Sequence, residues 1–288
     1  MPAIHSVAFE SSGTFVLAAQ DDDLVSVWHV ASAERRFELA GHGAAVRAIA
    51  CSPVDRQAAS GSLDGAIALW DLDTGDYRPR FARHGQGVLA LAFSPDGRRL
   101  ASSCENGEIA IWDVATADRV LTLQRPASVM AVAWTHDGRA VVTGSFDRSC
   151  CTWDLSGAEL ARVTPVWGPV FGVACARDGR LAMACSMAAE IVPADRDDSP
   201  AVIRAEHGMC HAVAFTPDGS LVIASGPSLV VVQPDAARRT LRGHSDLVNA
   251  VAASPDGALV ASGSSDGTVR IWDLRSPSSA PRHVLQAP

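Results

Sequence analysis

Short apolar runs alternate with turn residues along the whole chain, and seven of the turns recur at a near-constant spacing. In order, these turns end at Gly13 (SSG), Asp55 (SPVD), Gly97 (SPDG), Gly138 (HDG), Gly179 (RDG), Gly219 (TPDG) and Gly257 (SPDG). The successive steps are 42, 42, 41, 41, 40 and 38 residues. Such a period indicates seven alike units, which use essentially all of the 288 residues and leave no room for a second domain.

The last unit shows the internal pattern of each repeat most clearly. Four strands, which we label a to d, are predicted at residues 248–254, 258–264, 268–274 and 281–287. Strands a and b are nearly continuous small apolar residues, as expected for strands that neighbouring sheets cover on both faces. Strand c alternates more between apolar and polar residues, which favours a position nearer solvent.

A period of about 40 to 45 residues built from four short strands is typical of a β-propeller. The sequence therefore predicts an all-β fold, a single seven-bladed propeller of four-stranded antiparallel blades. The predicted blades cover residues 4–40, 41–83, 84–124, 125–164, 165–206, 207–241 and 242–288.

The two ends of the chain determine how this ring is predicted to close. Only residues 1–3 precede the first strand, at 4–9, and they are too few for an outer strand. We therefore expect blade 7 to use residues 281–287 as its own strand d, and side chains of blades 1 and 7 to close the ring. Such an abrupt start also fits a propeller that is part of a larger polypeptide.

Four polar or aromatic residues of the last repeat, His244, Ser262, Asp266 and Trp272, are spaced so that one from each segment can meet. At this point the chain resembles the WD-repeat family, whose blades carry a His–Ser–Asp–Trp hydrogen-bond relay. The same interval of 28 positions from His to Trp occurs in two other repeats. The corresponding residues are His42, Ser60, Asp64 and Trp70, and then His84, Ser102, Asn106 and Trp112.

The resemblance implies that these relays are structural. A buried His and a buried Trp N–H both need hydrogen-bond partners, and the quartet supplies them. A catalytic Ser–His–Asp interpretation is rejected because the motif repeats, is tied to Trp and is expected to be buried.

The remaining repeats depart from the pattern. The fourth keeps Thr143, Asp147 and Trp153 but has Arg125 in place of His, and the first has Ala18 in place of Ser. The fifth has no relay, and Pro193 interrupts its predicted strand c at 189–195. The sixth keeps His207 but has Val232 and Gln233 in place of Trp-Asp. Sequence drift and a partner site on blades 5 and 6 both remain open as explanations.

The same resemblance implies that two positions of each blade bind partners. One is the start of strand a, and the other is the residue before the Asp of the turn between strands b and c (the b–c turn). On blades 3 to 6 these positions are mostly large and apolar, and they form what we call the apolar arc. With Trp167 of the blade 5 d–a loop, the arc comprises Leu89, Met130, Phe146, Trp167, Phe171, Met187 and Met209. Its polar rim comprises Arg47, Glu105 and His211. These residues either bind a protein or peptide, or fill the channel mouth and bind nothing.

Charge and composition argue against some classes of partner. A net charge of −8 argues against a nucleic-acid or anionic-membrane surface. No apolar run approaches the length of a membrane span, and the N-terminus lacks the features of a signal peptide. All 24 basic residues are Arg, which fits a GC-rich, bacterial coding sequence.

Seven cysteines without a CxxC pair predict a reduced, cytoplasmic protein without a metal site or cofactor. The acidic clusters Asp21–Asp23 and Asp195, Asp197 and Asp198 lack the ligand spacing of a calcium loop and are interpreted as solvated turns.

Three functions are compatible with this sequence. The first is a non-enzymatic scaffold, a monomer or part of a larger complex, that binds a protein or peptide on the face of the b–c turns and d–a loops. The second is a sensor or regulatory module of a larger bacterial kinase or signalling ATPase. The third, a hydrolase with its site in the channel, is opposed by the channel candidates His5, Arg47, His211 and Asn249, which include no ring of carboxylates.

Overall fold

The computed structural model describes residues 1–78, 81–194, 200–205 and 208–286, with the side chain of residue 78 left out. In this part of the chain there are seven four-stranded antiparallel sheets, and in each sheet the strands lie in chain order. The predicted seven-bladed β-propeller is confirmed. The described residues include no helix that could span a membrane.

The first four blades contain strands β1 to β16. Their bounds are β1 Ile4–Phe9, β2 Phe15–Gln20, β3 Leu24–His29, β4 Arg35–Ala40, β5 Val46–Cys51, β6 Gln57–Ser62, β7 Ile67–Asp71 and β8 Tyr77–Arg78. They continue with β9 Val88–Phe93, β10 Arg99–Cys104, β11 Glu108–Asp113, β12 Arg119–Gln124, β13 Val129–Trp134, β14 Ala140–Ser145, β15 Cys150–Asp154 and β16 Glu159–Val163.

The last three blades contain strands β17 to β28. Their bounds are β17 Val170–Cys175, β18 Leu181–Cys185, β19 Ala188–Val192, β20 Ala201–Arg204, β21 Cys210–Phe215 and β22 Leu221–Ser225. They end with β23 Ser228–Val232, β24 Arg238–Arg242, β25 Val248–Ala253, β26 Leu259–Ser264, β27 Thr268–Asp273 and β28 His283–Gln286.

The recurring Pro-Asp-Gly signature forms the turn between strands a and b, as blade 7 illustrates. Asp256 Oδ1 accepts hydrogen bonds from Ser254 Oγ at 2.6 Å and from the backbone N–H of Ala258 at 3.0 Å. Gly257 follows with a φ of 69°, a left-handed conformation that glycine adopts without strain. The seven-fold spacing seen in the sequence is therefore the spacing of these turns.

Small residues on strands a and b let neighbouring blades pack closely. At Gly61 of β6, an added Cβ would lie 2.4 Å from Val88 Cγ1 on the next blade. The same relation joins the ends of the chain, where a Cβ on Gly263 would lie 2.4 Å from Ile4 Cγ2. A larger residue at either of these two positions would therefore collide with the neighbouring blade.

Side-chain packing between blades 1 and 7 closes the ring, as expected. Ile4 and Val7 of β1 share one buried cluster with Val269 and Ile271 of β27. Asn249 Nδ2 also donates to the backbone carbonyl of Ile4 at 2.9 Å. All four strands of blade 7 come from its own repeat, so no strand is exchanged between the ends.

Two predicted strands differ from the observed ones by more than one residue at an end. The outer strand of blade 7 is shorter than 281–287 and spans His283–Gln286, and Ala287 lies outside the described residues. Strand c of blade 5 was expected at 189–195 but spans Ala188–Val192. It ends before Pro193 because proline has no N–H to continue the ladder.

Candidate functional site

The relay of blade 7 is a complete hydrogen-bonded quartet. His244, in the loop before β25, places Nε2 2.8 Å from Ser262 Oγ and Nδ1 2.8 Å from Asp266 Oδ2. Trp272 donates its indole N–H to Ser262 Oγ, also at 2.8 Å. Four segments of the chain are therefore tied together at one end of the blade.

Blade 2 has the same arrangement, except that its carboxylate lies farther from the histidine. His42 Nε2 and Trp70 Nε1 each lie 2.7 Å from Ser60 Oγ. Asp64, however, is 3.8 Å from His42 Nδ1 and accepts instead from the backbone N–H groups of Gly43 and Ala66. Asp64 thus shapes the turn between β6 and β7, and His42 Nδ1 has no hydrogen-bond partner.

In blade 3, Glu108 and not Asn106 lies beside the relay histidine. His84 Nε2 and Trp112 Nε1 each lie 2.7 Å from Ser102 Oγ. Asn106 Oδ1 is engaged by the backbone N–H of Glu108 at 3.0 Å, which holds the Asn106 side chain over its own turn. The carboxylate of Glu108, two residues later, comes within 3.0 Å of His84 Nδ1.

In blade 4 an arginine takes over the role of the histidine. Trp153 Nε1 donates to Thr143 Oγ1 at 3.0 Å. Arg125 Nη2 lies 2.6 Å from both Asp147 Oδ2 and Ser149 Oγ, so it holds the carboxylate without reaching Thr143. This network joins the d–a loop to the b–c turn by a charged contact.

Burial determines what the relays can do chemically. Burial lowers the pKa of His42, His84 and His244, so the imidazoles are neutral at physiological pH. Burial alone would raise the pKa of Asp266, but hydrogen bonds from Thr268, His244 and the Ser245 N–H lower it to about 2.

The relay serine hydroxyls are fully buried. The side chains of Ser60, Ser102 and Ser262 have no exposed surface. A substrate cannot reach them, so the relays hold the loops and each hydrogen bond contributes about 0.5–1.5 kcal/mol net.

Blades 5 and 6 replace the polar relay with apolar side chains. In blade 5, Met183 occupies the strand b position of the relay Ser, and Val192 occupies the strand c position of the relay Trp. Both belong to one buried cluster. In blade 6, Ile223 and Val232 occupy the same two positions and pack in another cluster. His207, which the sequence placed in the blade 6 relay, lies outside the described residues, as do Asp195, Asp197 and Asp198.

Trp167 lies away from the other residues of the apolar arc. It packs against the apolar cluster that replaces the blade 5 relay, and the Arg204 guanidinium lies 5.0 Å from its ring centroid. The surrounding cleft is formed with Val202 and Arg238 of the outer strands β20 and β24. The structure thus gives Trp167 a packing role at the outer end of blade 5.

The central channel is lined by strand a of every blade. Its mouth is formed by the second residue of each of these strands: His5, Arg47, Leu89, Met130, Phe171, His211 and Asn249. Five of them belong to the predicted partner-binding set. The channel cavity is small, about 230 Å³, so a partner would contact the mouth rather than enter deeply.

Three aromatic rings form a row from the surface of blade 4 to the channel mouth at blade 6. Phe146 and Phe171 meet edge to face with centroids 6.3 Å apart, and Phe171 and His211 with centroids 5.2 Å apart. Burial lowers the pKa of His211, so its ring is neutral at physiological pH and continues the apolar surface.

The exposed large apolar side chains on this face include Phe146, Met187 and Met209 of blades 4 to 6, and we call these three the exposed patch. Phe146 is 54% exposed, Met187 63% and Met209 38%. Backbone hydrogen bonds fix the segments that carry them, from Phe146 N–H to Ser128 O and from Ala205 N–H to Met187 O. Hydrogen bonds to loops on the same face therefore hold these segments of the patch in place.

The opposite side of the mouth is polar. His5 Nε2 lies 2.5 Å from Asp21 Oδ1, and Arg47 Nη1 lies 2.8 Å from His5 Nε2. Glu105, in the turn between β10 and β11, is exposed. An apolar half and a charged half thus face each other across the channel.

The sequence predicted no metal site, but the described residues include one group with metal-ligand chemistry. The possible ligand atoms of His84, Cys104 and Glu108 all lie within 4.8 Å of one another. Sequence spacing could not reveal this group because its members come from a loop and two strands. The one available signal was the departure of blade 3 from the other relay blades at three positions.

Comparison with known proteins gives one family. The model of the WD40 family (WD domain, G-beta repeat) matches residues 33–71, 76–113, 118–154 and 236–273, which together make up more than half of the chain. These four segments contain the four Ser–Trp or Thr–Trp pairs described above. No individual curated protein matches the chain.

Proposed function

Because the chain belongs to the WD40 family of β-propellers, we propose that it is a non-enzymatic scaffold that binds a protein or peptide segment on the exposed patch. WD40 propellers generally serve as scaffolds for protein interactions. The finer proposal, that this chain binds through Phe146, Met187 and Met209, rests on the surface of blades 4 to 6.

The observation that carries the proposal is the clustering of exposed apolar side chains around one channel mouth. Most other exposed large hydrophobics are single residues on outer strands, among them Val120, Leu160, Val202 and Val284. Scattered residues of that kind are usual on protein surfaces. Exposed apolar side chains on successive blades of one face, next to partly buried aromatic rings, are typical of a protein-binding site.

The chemistry of the mouth favours a segment with a large apolar anchor. The edges of Phe171 and His211 offer a half-buried surface on which an aromatic or aliphatic side chain can stack. Arg47 and Glu105 on the rim can orient polar groups of the same segment. We propose an extended peptide region of a partner protein as the ligand.

A binding role also agrees with the placement of the titratable groups. The relay hydroxyls are buried, and His5 at the mouth is held between Asp21 and Arg47. Neither the buried relay hydroxyls nor the paired His5 therefore presents a substrate with an accessible nucleophile beside a free base. We propose that the chain has no catalytic activity of its own.

We further propose that the protein works in a reducing compartment, the cytoplasm. The seven cysteines form no disulfide bonds, and Cys150 and Cys151 pack in different inter-blade clusters although they are adjacent. Buried thiols that fill apolar space need no oxidation to stabilise the fold.

Selection from a displayed peptide library, followed by calorimetric titration of the recovered peptides, tests the proposed surface. We expect Phe146→Ser combined with Met187→Ser to weaken peptide binding by at least about tenfold, since both lose buried contact area. The matched control is Leu160→Ser, on the outer strand β16 and 59% exposed. Equal binding by the patch variant, or equal loss in the control, would contradict the proposal.

A further inference from the structure

One end of blade 3 gathers a nitrogen, a sulfur and a carboxylate. His84 precedes β9, Cys104 ends β10 and Glu108 begins β11, so three separate segments contribute. His84 and Cys104 are buried, and the Glu108 side chain is 16% exposed. Their possible ligand atoms lie within 4.8 Å of one another.

The other relay blades act as internal references for this group. Where blade 3 has Cys104, blades 2, 4 and 7 have Ser, and where it has Asn106 they have Asp. Where it has Glu108, they have Ala, Ser and Thr. The reference residues are Ser62, Asp64 and Ala66; Ser145, Asp147 and Ser149; Ser264, Asp266 and Thr268. Blade 3 therefore departs at all three positions, and two of the changes bring in metal-ligand chemistry.

The histidine nitrogen that faces this group has no aligned hydrogen-bond partner. His84 Nε2 is held by Ser102, while Nδ1 is buried and unsatisfied despite its 3.0 Å approach to Glu108. His42 Nδ1 of blade 2 is also unsatisfied and lies 3.8 Å from the Asp64 carboxylate, but blade 2 has Ser62 at the position of Cys104. Among the relays that the structure describes, the relay of blade 3 has a buried, unsatisfied histidine nitrogen beside both a thiol and a carboxylate.

We propose that His84 Nδ1, Cys104 Sγ and the Glu108 carboxylate bind a divalent transition-metal ion, with zinc as the preferred metal. Sulfur, imidazole and carboxylate ligands are the set that zinc takes in proteins. Asn106 Oδ1, which lies 2.9 Å from Cys104 Sγ, or a water molecule is available as the fourth ligand. The ion would cross-link the d–a loop to strands b and c of blade 3.

Binding has to overcome two features of the metal-free chain. Burial, with a contribution from Glu108, raises the pKa of Cys104 to about 11, so the metal must displace the thiol proton to solvent. The Arg119 guanidinium pairs with Glu108 and lies 4.5 Å from the Trp112 ring centroid. Because Arg119 competes for the carboxylate, its removal should strengthen metal binding.

Titration of the reduced, metal-free chain with Co²⁺ tests the proposal, since thiolate ligation gives a charge-transfer absorption band. We expect one equivalent of Co²⁺ to produce the band in the wild type and in Cys175→Ser, a control in another blade. Cys104→Ser and Glu108→Ala introduce the residues that blade 2 carries. Both should weaken binding by at least about tenfold, and Arg119→Met should tighten it.

A thermal melt with Zn²⁺ supplies the second readout. Zinc should raise the Tm of the wild type and not that of Cys104→Ser, because an ion stabilises only the fold that binds it. The proposal is overturned if the wild type gives no band and no Tm shift. It is equally overturned if Cys104→Ser binds as well as the wild type, which would indicate an adventitious ion only.

Discussion

Arg125 donates to Asp147 across 2.6 Å at the position where the relays of blades 2, 3 and 7 have a histidine, and its side chain is only 6% exposed. The pair keeps the connection between the d–a loop and the b–c turn while exchanging a neutral ring for a charge. Its presence shows that a departure from the repeat pattern need not mean a lost interaction.

The first prediction concerns this pair. Arg125→Ala should lower the free energy of unfolding by about 3 kcal/mol, because it removes the charge that pairs with the largely buried Asp147 carboxylate. Urea unfolding measures the change, and Arg98→Ala, at an exposed position, should change it by less than about 0.5 kcal/mol. Similar losses in the two variants would show that the buried pair has no special role.

The second prediction compares two histidines of different surroundings. His244→Ala should destabilise the chain by about 2 kcal/mol, since Ser262 and Asp266 each lose a buried partner. His5→Ala, at the half-open channel mouth, should cost clearly less. Thermal melts of both variants give the comparison, and equal shifts in Tm would contradict the structural role of the relay.

The third prediction follows from the lowered pKa of the buried histidines. His42, His84 and His244 bind a proton less readily in the folded chain than in the unfolded chain, where the pKa is about 6.5. The unfolded chain therefore takes up more protons below that pH, and the free energy of unfolding falls as the pH drops from about 7.5 to about 5.5.

Urea unfolding at several pH values measures this slope. His211→Gln should reduce it, because burial also lowers the pKa of His211, and its Nδ1 has no hydrogen-bond partner to lose. A stability that rises or stays constant over this range would be incompatible with neutral buried relays.

The fourth prediction tests ring closure. Gly263→Ala should destabilise the chain by about 1–3 kcal/mol, because the new methyl group collides with Ile4 of blade 1. Gly85→Ala is the control, since an added Cβ there meets nothing within 4 Å. Unfolding curves that shift alike for both variants would mean that the two blades separate at little cost.

Much of the fold was accessible from the sequence, because each blade repeats the same local requirements. The Asp-Gly turns need a left-handed glycine, and the interval from His42 to Trp70 is the path from one d–a loop to the following strand c. These features depend on residues close in sequence, and three repeats show the same interval.

The departures from the pattern were less accessible, because they depend on side-chain reach between segments. Glu108 replaces Asn106 beside His84, although Asn106 occupies the expected sequence position. Trp167 was grouped with the channel residues, yet it covers the apolar positions left by the missing relay of blade 5. In both cases the packing of a neighbouring strand determines which side chain fills the space. The spacing of residues along the chain does not predict that outcome.

Hydrogen–deuterium exchange with a library-selected peptide tests the central claim, that the exposed patch is the partner-binding surface. We expect bound peptide to protect the turns that carry Phe146 and Met187 and the start of β21, and to leave β16 and the a–b turns unchanged. Protection confined to the outer strands or to the opposite face would show that the partner binds elsewhere.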